Sequence, residues 1–323
     1  MAVPAGRRRA APAGQRQHEQ RQHEQRQQEQ RQQDGGRTGS AGPEVTSARS
    51  PRVRAARRLA KRAFRRQARL FLAEGPQAVA EALASGATVT ELFLTGQAWA
   101  RHGELAAEAA RRGAAVHAVS GDVMAELAQT VTPQGLLAVC RFVDVPLARL
   151  AEASPRLVVI LASIRDPGNA GTVLRTADAA GADGVIFSDA SVDPYNSKCV
   201  RASAGSLFHL PVVVGVPLAE SVAALRGAGL QVLAADGGAA LTLDEVTHAS
   251  RLGQPTAWLF GNEAWGLPGA LLALADEAVA VPIYGRAESL NLAAAAAVCL
   301  YASARALRAG SLTARAQISP PAG

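Results

Sequence analysis

Aromatic residues are scarce in this 323-residue chain, at 4% against 48% hydrophobic residues overall. Its core must therefore be built mainly from Ala, Val and Leu. Cysteine is also rare: Cys140, Cys199 and Cys299 are far apart and odd in number. That argues against a disulfide framework or a metal knot and suits a reducing compartment. Each cysteine reads as a small buried hydrophobe. No apolar run reaches the roughly 20 residues that span a bilayer. Met1 to Arg9 carries basic residues with no apolar segment behind them, unlike a secretory signal. A cytoplasmic protein using neither membrane nor metal is the expectation. Also missing are a GxGxxG turn with a ribose-binding acid after it and a P-loop lysine, which argues against an ordinary nucleotide-cofactor enzyme, and no Ser/His/Asp or Cys/His set stands at sensible positions.

Positive charge is present, but at one end. Residues 1–69 hold 18 of the 34 Lys and Arg and 5 of the 27 Asp and Glu, a net +13 against −6 in the remainder. A basic arm on a mildly acidic body suggests an anionic polymer, usually nucleic acid, as partner; a solubilising tail is the alternative. From Gln15 a five-residue unit recurs four times, from Gln-Arg-Gln-His-Glu to Gln-Arg-Gln-Gln-Asp. Such a tract buries too little surface to offset its ordering entropy, so residues 1–50 read as a disordered tail. Arg52 to Arg69 reads as a basic helix. Arg65, Arg66 and Arg69 lie on its positive face, able to meet phosphates or simply solvated.

Two α/β series follow. Residues 51–145 alternate short strands and helices and form a small domain. Residues 146–154, with Pro146, read as a linker. Residues 155–310 carry strands at 156–163, 184–188, 211–214, 230–235, 256–260 and 278–283. Helices fall at 169–180, 197–205, 217–227, 268–274 and 289–308, and residues 311–323 read as a flexible tail. Strands apolar throughout and alternating with helices predict an α/β fold, a mostly parallel sheet with helices on both faces. Ligands in such sheets bind beyond the carboxyl ends of the strands.

The polar clusters fall at those ends. Asp166-Pro-Gly-Asn-Ala-Gly follows the first strand, with Asn169 at a helix start. Arg175 is predicted on the inward side of that helix, where it needs an anionic partner, either a phosphate or a carboxylate such as Asp178. Gly261-Asn262-Glu263-Ala264-Trp265-Gly266 forms a tight loop whose backbone can approach a flat ligand. Ala235-Asp236-Gly237-Gly238 is a third loop. The fourth runs from Val281 through Ile283 to Ser289, Leu290 and Asn291. Here Ser289 is predicted to cap an Ala-rich helix starting near Leu290, and Ser289 and Asn291 sit at its mouth. A capped helix packed on a sheet explains that stretch equally. Lys198 and Arg201, after Asp193-Pro-Tyr-Asn-Ser, begin a helix that can meet a polyanion or form a plain turn. His209, among apolar neighbours, reads as a core histidine.

These residues carry a resemblance. Asp166-Pro-Gly-Asn-Ala-Gly-Thr-Val-Leu-Arg-Thr-Ala, Leu259-Phe-Gly-Asn-Glu-Ala-Trp-Gly-Leu and Val281-Pro-Ile-Tyr-Gly-Arg-Ala-Glu-Ser-Leu-Asn-Leu-Ala are similar, in this order, to the motifs of the SpoU (TrmH) class of SPOUT RNA ribose 2′-O-methyltransferases. Phe71-Leu-Ala-Glu-Gly and Gln134-Gly-Leu-Leu-Ala-Val resemble the L30e-like substrate-binding domain that often precedes it. The resemblance implies a C-terminal trefoil knot at 234–238, 261–266 and 281–292, a homodimer, and S-adenosylmethionine as methyl donor. It implies an active-site set of Asn169, Arg175, Glu263, Ser289 and Asn291. Cofactor contacts would come from Ala235, Asp236, Gly237, Gly261, Asn262, Glu263, Gly266, Ile283, Ser289, Leu290 and Asn291. Arg65, Arg66, Arg69, Arg175, Lys198 and Arg201 would meet RNA, ribosomal RNA in preference to transfer RNA. A non-catalytic RNA-binding protein of the same fold is the alternative. Ala264 and Trp265 depart from the usual second motif.

Overall fold

The computed structural model describes residues 44–318, with side chains through 309. Residues 1–43 and 319–323 of the two expected tails lie outside the described residues. Residues 44–50, placed in the disordered tail by composition, make ordered contacts. Val45 bridges Val119 in parallel, its N–H donating to Ala118 O at 2.8 Å. The basic segment is two helices rather than one, α1 (Pro51–Arg58) and α2 (Arg62–Ala68). Pro51 starts α1 where its missing N–H costs nothing, and Arg69 ends α2 in the left-handed region at φ 56°.

The first lobe continues through β1 (Leu70–Glu74), α3 (Pro76–Ala84), β2 (Val89–Leu94), α4 (Gly96–Arg111), β3 (Ala115–Ala118), α5 (Gly121–Leu127) and β4 (Leu136–Arg141). Its sheet has the order β1-β4-β2-β3, with β4 antiparallel to both neighbours and β2 parallel to β3. The expected linker is not a free tether. It forms α6 (Leu147–Glu152), whose Leu147 and Leu150, one turn apart, are both buried. Two leucines on one face outweigh the Pro146 signal by removing apolar surface from water.

The second lobe comprises β5 (Leu157–Leu161), α7 (Pro167–Ala180), β6 (Gly184–Ser188), α8 (Ser197–Ala202), β7 (Val212–Val216), α9 (Leu218–Gly227), β8 (Gln231–Ala235), β9 (Leu241–Thr242), α10 (Leu243–His248), β10 (Thr256–Phe260), α11 (Gly269–Leu272), β11 (Glu277–Ala280) and α12 (Leu292–Ile318). The seven strands have the order β7-β6-β5-β10-β8-β11-β9 and pair in parallel. β5 is buried on both faces: Leu157, Val159 and Leu161 join the core under α7 and α12, and Val158 and Ile160 the core under α6 and α9. Gly171 lets α7 lie against α8, since a Cβ there would come 2.4 Å from Cys199 O. α12 is long and apolar enough to cross a membrane by length and composition. Its stripe of Ala293, Ala296, Cys299, Leu300, Ala304 and Leu307 is buried in this lobe, and Trp258 Nε1 donates to Ser303 Oγ at 2.9 Å. The helix also runs to Ile318, through the segment expected as a flexible tail. All three cysteines are free and buried, and burial pushes their thiols up.

Both lobes belong to one compact unit. Phe71, Phe142, Tyr195 and Phe208 cluster at their joint, with Phe142 and Tyr195 stacked at 3.8 Å. Tyr195 Oη accepts from Val143 and Asp144 N–H and donates to Asp144 Oδ1. Arg65 does not face RNA. It is 4% exposed, donates to Asp193 Oδ2 at 2.6 and 2.9 Å, and donates to the carbonyls of Leu59 and Ala60. His209 is not a core residue either. It is exposed and bridges Asp178 of α7 (2.7 Å) and Glu81 of α3 (3.0 Å).

Arg65→Ala leaves the buried Asp193 carboxylate unpaired, so urea unfolding should show a loss of about 3–5 kcal/mol; a loss within ordinary surface values would remove the pair from any structural role. The Asp178 and Glu81 hydrogen bonds raise the His209 pKa above 6.5. Its stabilising effect is then fully present below about pH 6.5 and lost as pH rises through the folded value. The urea midpoint of the wild type should exceed that of His209→Gln at pH 6 and converge with it by about pH 9. A gap that widens with pH would contradict the bridge.

Candidate active site

β5, β10, β8 and β11 are neighbours in the sheet, so their carboxyl ends deliver four loops to one rim. Each loop is held by local bonds. After β5, Ile164 N–H donates to Ser191 Oγ, and Ser191 Oγ donates to Leu161 O at 2.7 Å. Asp166 then caps α7: its Oδ1 accepts from Asn169 N–H at 2.8 Å and Pro167 occupies the first turn. Lys198 Nζ donates to Asp166 Oδ2 at 2.7 Å, and this contact, followed by the Asn169 N–H, holds the Asp166 carboxyl below its usual range.

After β10, Asn262 and Gly266 exchange N–H···O bonds at 3.0 and 2.9 Å, closing a tight hairpin. Gly261 is required there, because a Cβ would stand 2.5 Å from Gly266 O. The buried Asn262 amide donates to Ser163 O at 2.8 Å and so ties this hairpin to the β5 loop. After β8, Asp236 N–H donates to Val279 O at 3.1 Å. After β11, Tyr284 Oη donates to Asp244 Oδ2 at 2.6 Å, tying the long loop back to α10.

Asn291, not Ser289, caps the final helix. Its Oδ1 accepts from Ala293 N–H at 2.9 Å, so α12 starts at Leu292 and Ser289 lies three residues earlier in the loop. Serine and asparagine cap about equally well, but Asn291 also reaches across the rim. Its Nδ2 donates to Asn169 Oδ1 at 3.1 Å, and Asn169 Nδ2 donates to Glu263 Oε1 at 3.2 Å. The Asn169 amide is thereby oriented at both ends, with one N–H left over. Arg165, which no sequence argument singled out, brings its backbone N–H to 3.5 Å from Glu263 Oε2. Its position immediately before Asp166 was the only signal.

These loops surround a cavity of about 520 Å³. Ala235, Asp236, Gly237, Gly261, Asn262, Glu263, Gly266, Ile283, Ser289, Leu290 and Asn291 all line it. Glu288, Val279 and Val281 add to the wall. Asn169 stands at the mouth through its bond to Glu263. Arg175 is not brought into this cavity, nor is it inward. The buried stripe of α7 is Ala170, Val173, Leu174, Ala177 and Ala180, and Arg175 lies off it, exposed and without an ion pair among the described residues. Six residues from Asn169 is well short of two full turns, so the two side chains diverge.

The remaining cations separate by burial. Arg66 and Arg69 border an interlobe cavity of about 380 Å³. Arg69 pairs with Asp144 at 2.9 Å and lies over the Phe142 ring, and Arg66 is exposed. Arg201 reaches Glu74 across the joint at 3.4 Å.

The SpoU rRNA Methylase family matches residues 156–301, and the MRM3-like substrate binding domain matches residues 50–138. A Bacillus subtilis 23S rRNA (guanosine(2553)-2′-O)-methyltransferase, RlmP, is 35% identical over 80% of this chain and 98% of its own. Two solved structures share the fold. One is an AdoMet-bound rRNA methyltransferase from Sinorhizobium meliloti, with TM-score 0.72, 32% identity, and 82% and 98% of the two chains covered. The other is the SpoU methyltransferase AviRb from Streptomyces viridochromogenes with AdoMet, with TM-score 0.69, 31% identity, and 81% and 100% covered. By sequence match across both lobes and by the arrangement of the seven-stranded sheet, this chain belongs to the SpoU rRNA methylase family.

Proposed function

We propose that the protein transfers the methyl group of S-adenosylmethionine to a ribose 2′-OH of ribosomal RNA. The observation that carries this reading is the bonded chain Asn291–Asn169–Glu263, set at the mouth of a cavity whose wall suits that donor. A cavity of about 520 Å³ is in the range of small-molecule sites. Val279, Val281, Ile283 and Leu290 offer apolar contact to a flat heterocycle, and Asp236 and Glu288 offer carboxylates to a cationic ligand. Gly237, Gly261 and Gly266 let the main chain come close. When bound, S-adenosylmethionine supplies an electrophilic methyl on a positively charged sulfur. The relative named for a 23S rRNA guanosine supports ribosomal RNA over transfer RNA.

The chain's own part is mainly positioning, which suits an in-line displacement. Glu263 fixes the Asn169 amide, and the remaining Asn169 N–H is free to hold a ribose oxygen. A guanidinium is a poor base, so Arg175 is assigned to the phosphate beside the target nucleotide rather than to proton removal. As the ribose oxygen gains the methyl, its proton passes late to solvent water. We further infer that the loops at 234–238, 261–266 and 281–292 thread as a trefoil knot. β10 enters between β5 and β8, and β11 then returns beyond β8, which supports that threading. The half-exposed Val298 and Tyr301 of α12 support a homodimer, and three free buried thiols suit the cytoplasm.

Titration calorimetry should detect S-adenosylmethionine binding, and its absence would favour a non-catalytic RNA-binding protein. Asn169→Ala should lower methyl transfer to ribosomal RNA by about 100-fold, the order of effect of misplacing a reactant. Arg175→Lys should lower it by about tenfold through loss of the bidentate fork. Near-full activity in Arg175→Lys would remove that residue from a specific role.

A further inference from the structure

The hairpin after β10 carries an aromatic side chain that neither the core nor the cavity uses. Trp265 is 56% exposed, whereas Trp258 is fully buried and Trp99 packs against the first lobe's core. Indoles are enriched at interfaces, where a flat apolar face and a polar N–H both find partners. Its backbone is fixed. Asn262 and Gly266 close the hairpin, Ala264 N–H donates to Asn262 Oδ1 at 2.9 Å, and Gly261 presses against Gly266. Glu263, Ala264 and Gly266 line the cavity and Trp265 does not, so the indole stands outside its mouth, two residues from Glu263. Arg165 also adjoins Glu263 through its main chain. Its N–H faces Glu263, and its side chain is exposed with no hydrogen bond or ion pair among the described residues.

We propose that Trp265 is the platform on which a base of the substrate RNA stacks, setting the target ribose before Glu263, with Arg165 beside it for a phosphate. The proposal rests on the reading of the protein as an RNA ribose methyltransferase. A 2′-OH must be presented to a cavity at the end of a sheet, which calls for a nucleotide splayed out of its helix. An unstacked base needs a flat partner, and proteins supply one with aromatic or guanidinium planes. Stacking tolerates any base, so Trp265 would fix position without reading identity. The cofactor's adenine and a second copy of this chain are the other possible occupants, and the test separates them.

The experiment compares full-length wild type, Trp265→Ala and Trp265→Phe with unmodified 16S and 23S rRNA transcribed in vitro. Because the indole is exposed, neither substitution disturbs the core. Trp265→Ala should raise KM for RNA by about tenfold, and Trp265→Phe should stay within about threefold of the wild type. The Kd for S-adenosylmethionine and the molar mass by light scattering should not change. An unchanged KM for RNA in Trp265→Ala overturns the proposal. A weakened S-adenosylmethionine Kd, or a changed mass, also overturns it by assigning the indole to the cofactor or to a second copy. A wild type that methylates neither RNA counts against the methyltransferase reading instead. Fluorescence quenching on titration with single-stranded polyadenylate, present in wild type and reduced in Trp265→Phe, then decides the platform, and equal quenching in both overturns it.

Discussion

One side-chain amide holds the site together. Asn169 is bonded to Glu263, 94 residues later, and to Asn291, 122 residues later. Each partner sits in a loop with no regular structure of its own, and such loops cost conformational entropy to order. The sheet reduces that cost by starting all of them from adjacent parallel strands. Asp166 and Asn262 complete the restraint, one capping the helix that carries Asn169 and the other tying the β10 hairpin to Ser163. Distant segments are thereby held at one rim by side-chain amides and loop closures.

The few aromatics are spent where the lobes meet. Three of the 7 phenylalanines and one of the 3 tyrosines form the joint. Alanine and valine can fill a sheet sandwich, but they cannot span the wider gap between lobes. Large rings can, and each pair adds to area burial. The polar links at this joint are unusually committed. Arg65 is fully desolvated with Asp193, and Glu74, itself buried, receives Arg201. Such pairs contribute little net stability but penalise any other arrangement of the charges. They define the angle at which the first lobe presents its basic helices.

Strand positions in the second lobe were legible because both faces are buried. Runs such as Val158-Val159-Ile160 leave no ambiguity of period, and β6 and β10 match their predicted ranges. β9 and α10 were not foreseen: β9 has two residues, and its only cue is the Thr242–Glu245 capping box. The start of α12 was misjudged because Ser289 and Asn291 are both good caps by propensity, and only the cross-rim bond to Asn169 selects Asn291. Burial of single charges was the least legible feature. Arg65 and Arg66 are adjacent in sequence and equivalent by composition, yet one lies inside a joint and the other in solvent. Arg175 differs in the opposite direction: its neighbours in sequence are apolar, yet its side chain lies off the buried stripe and is exposed. A helix turns 100° per residue, so adjacency along the chain says little about which side chains share a face.

The sorting of cations by burial also limits how an acidic body can meet a polyanion. Beyond residue 69 the chain carries a net −6, so approach of RNA must be driven by local groups. Arg65 and Arg201 are committed to internal carboxylates and are unavailable. Lys198 is different: its pairing with Asp166 is exposed on both sides, at 56% and 43%, and such a pair exchanges its partner for a phosphate at little cost. The same Asp166 carboxylate caps the helix that carries Asn169. Its two oxygens thus join an exposed lysine to the main chain at the start of α7.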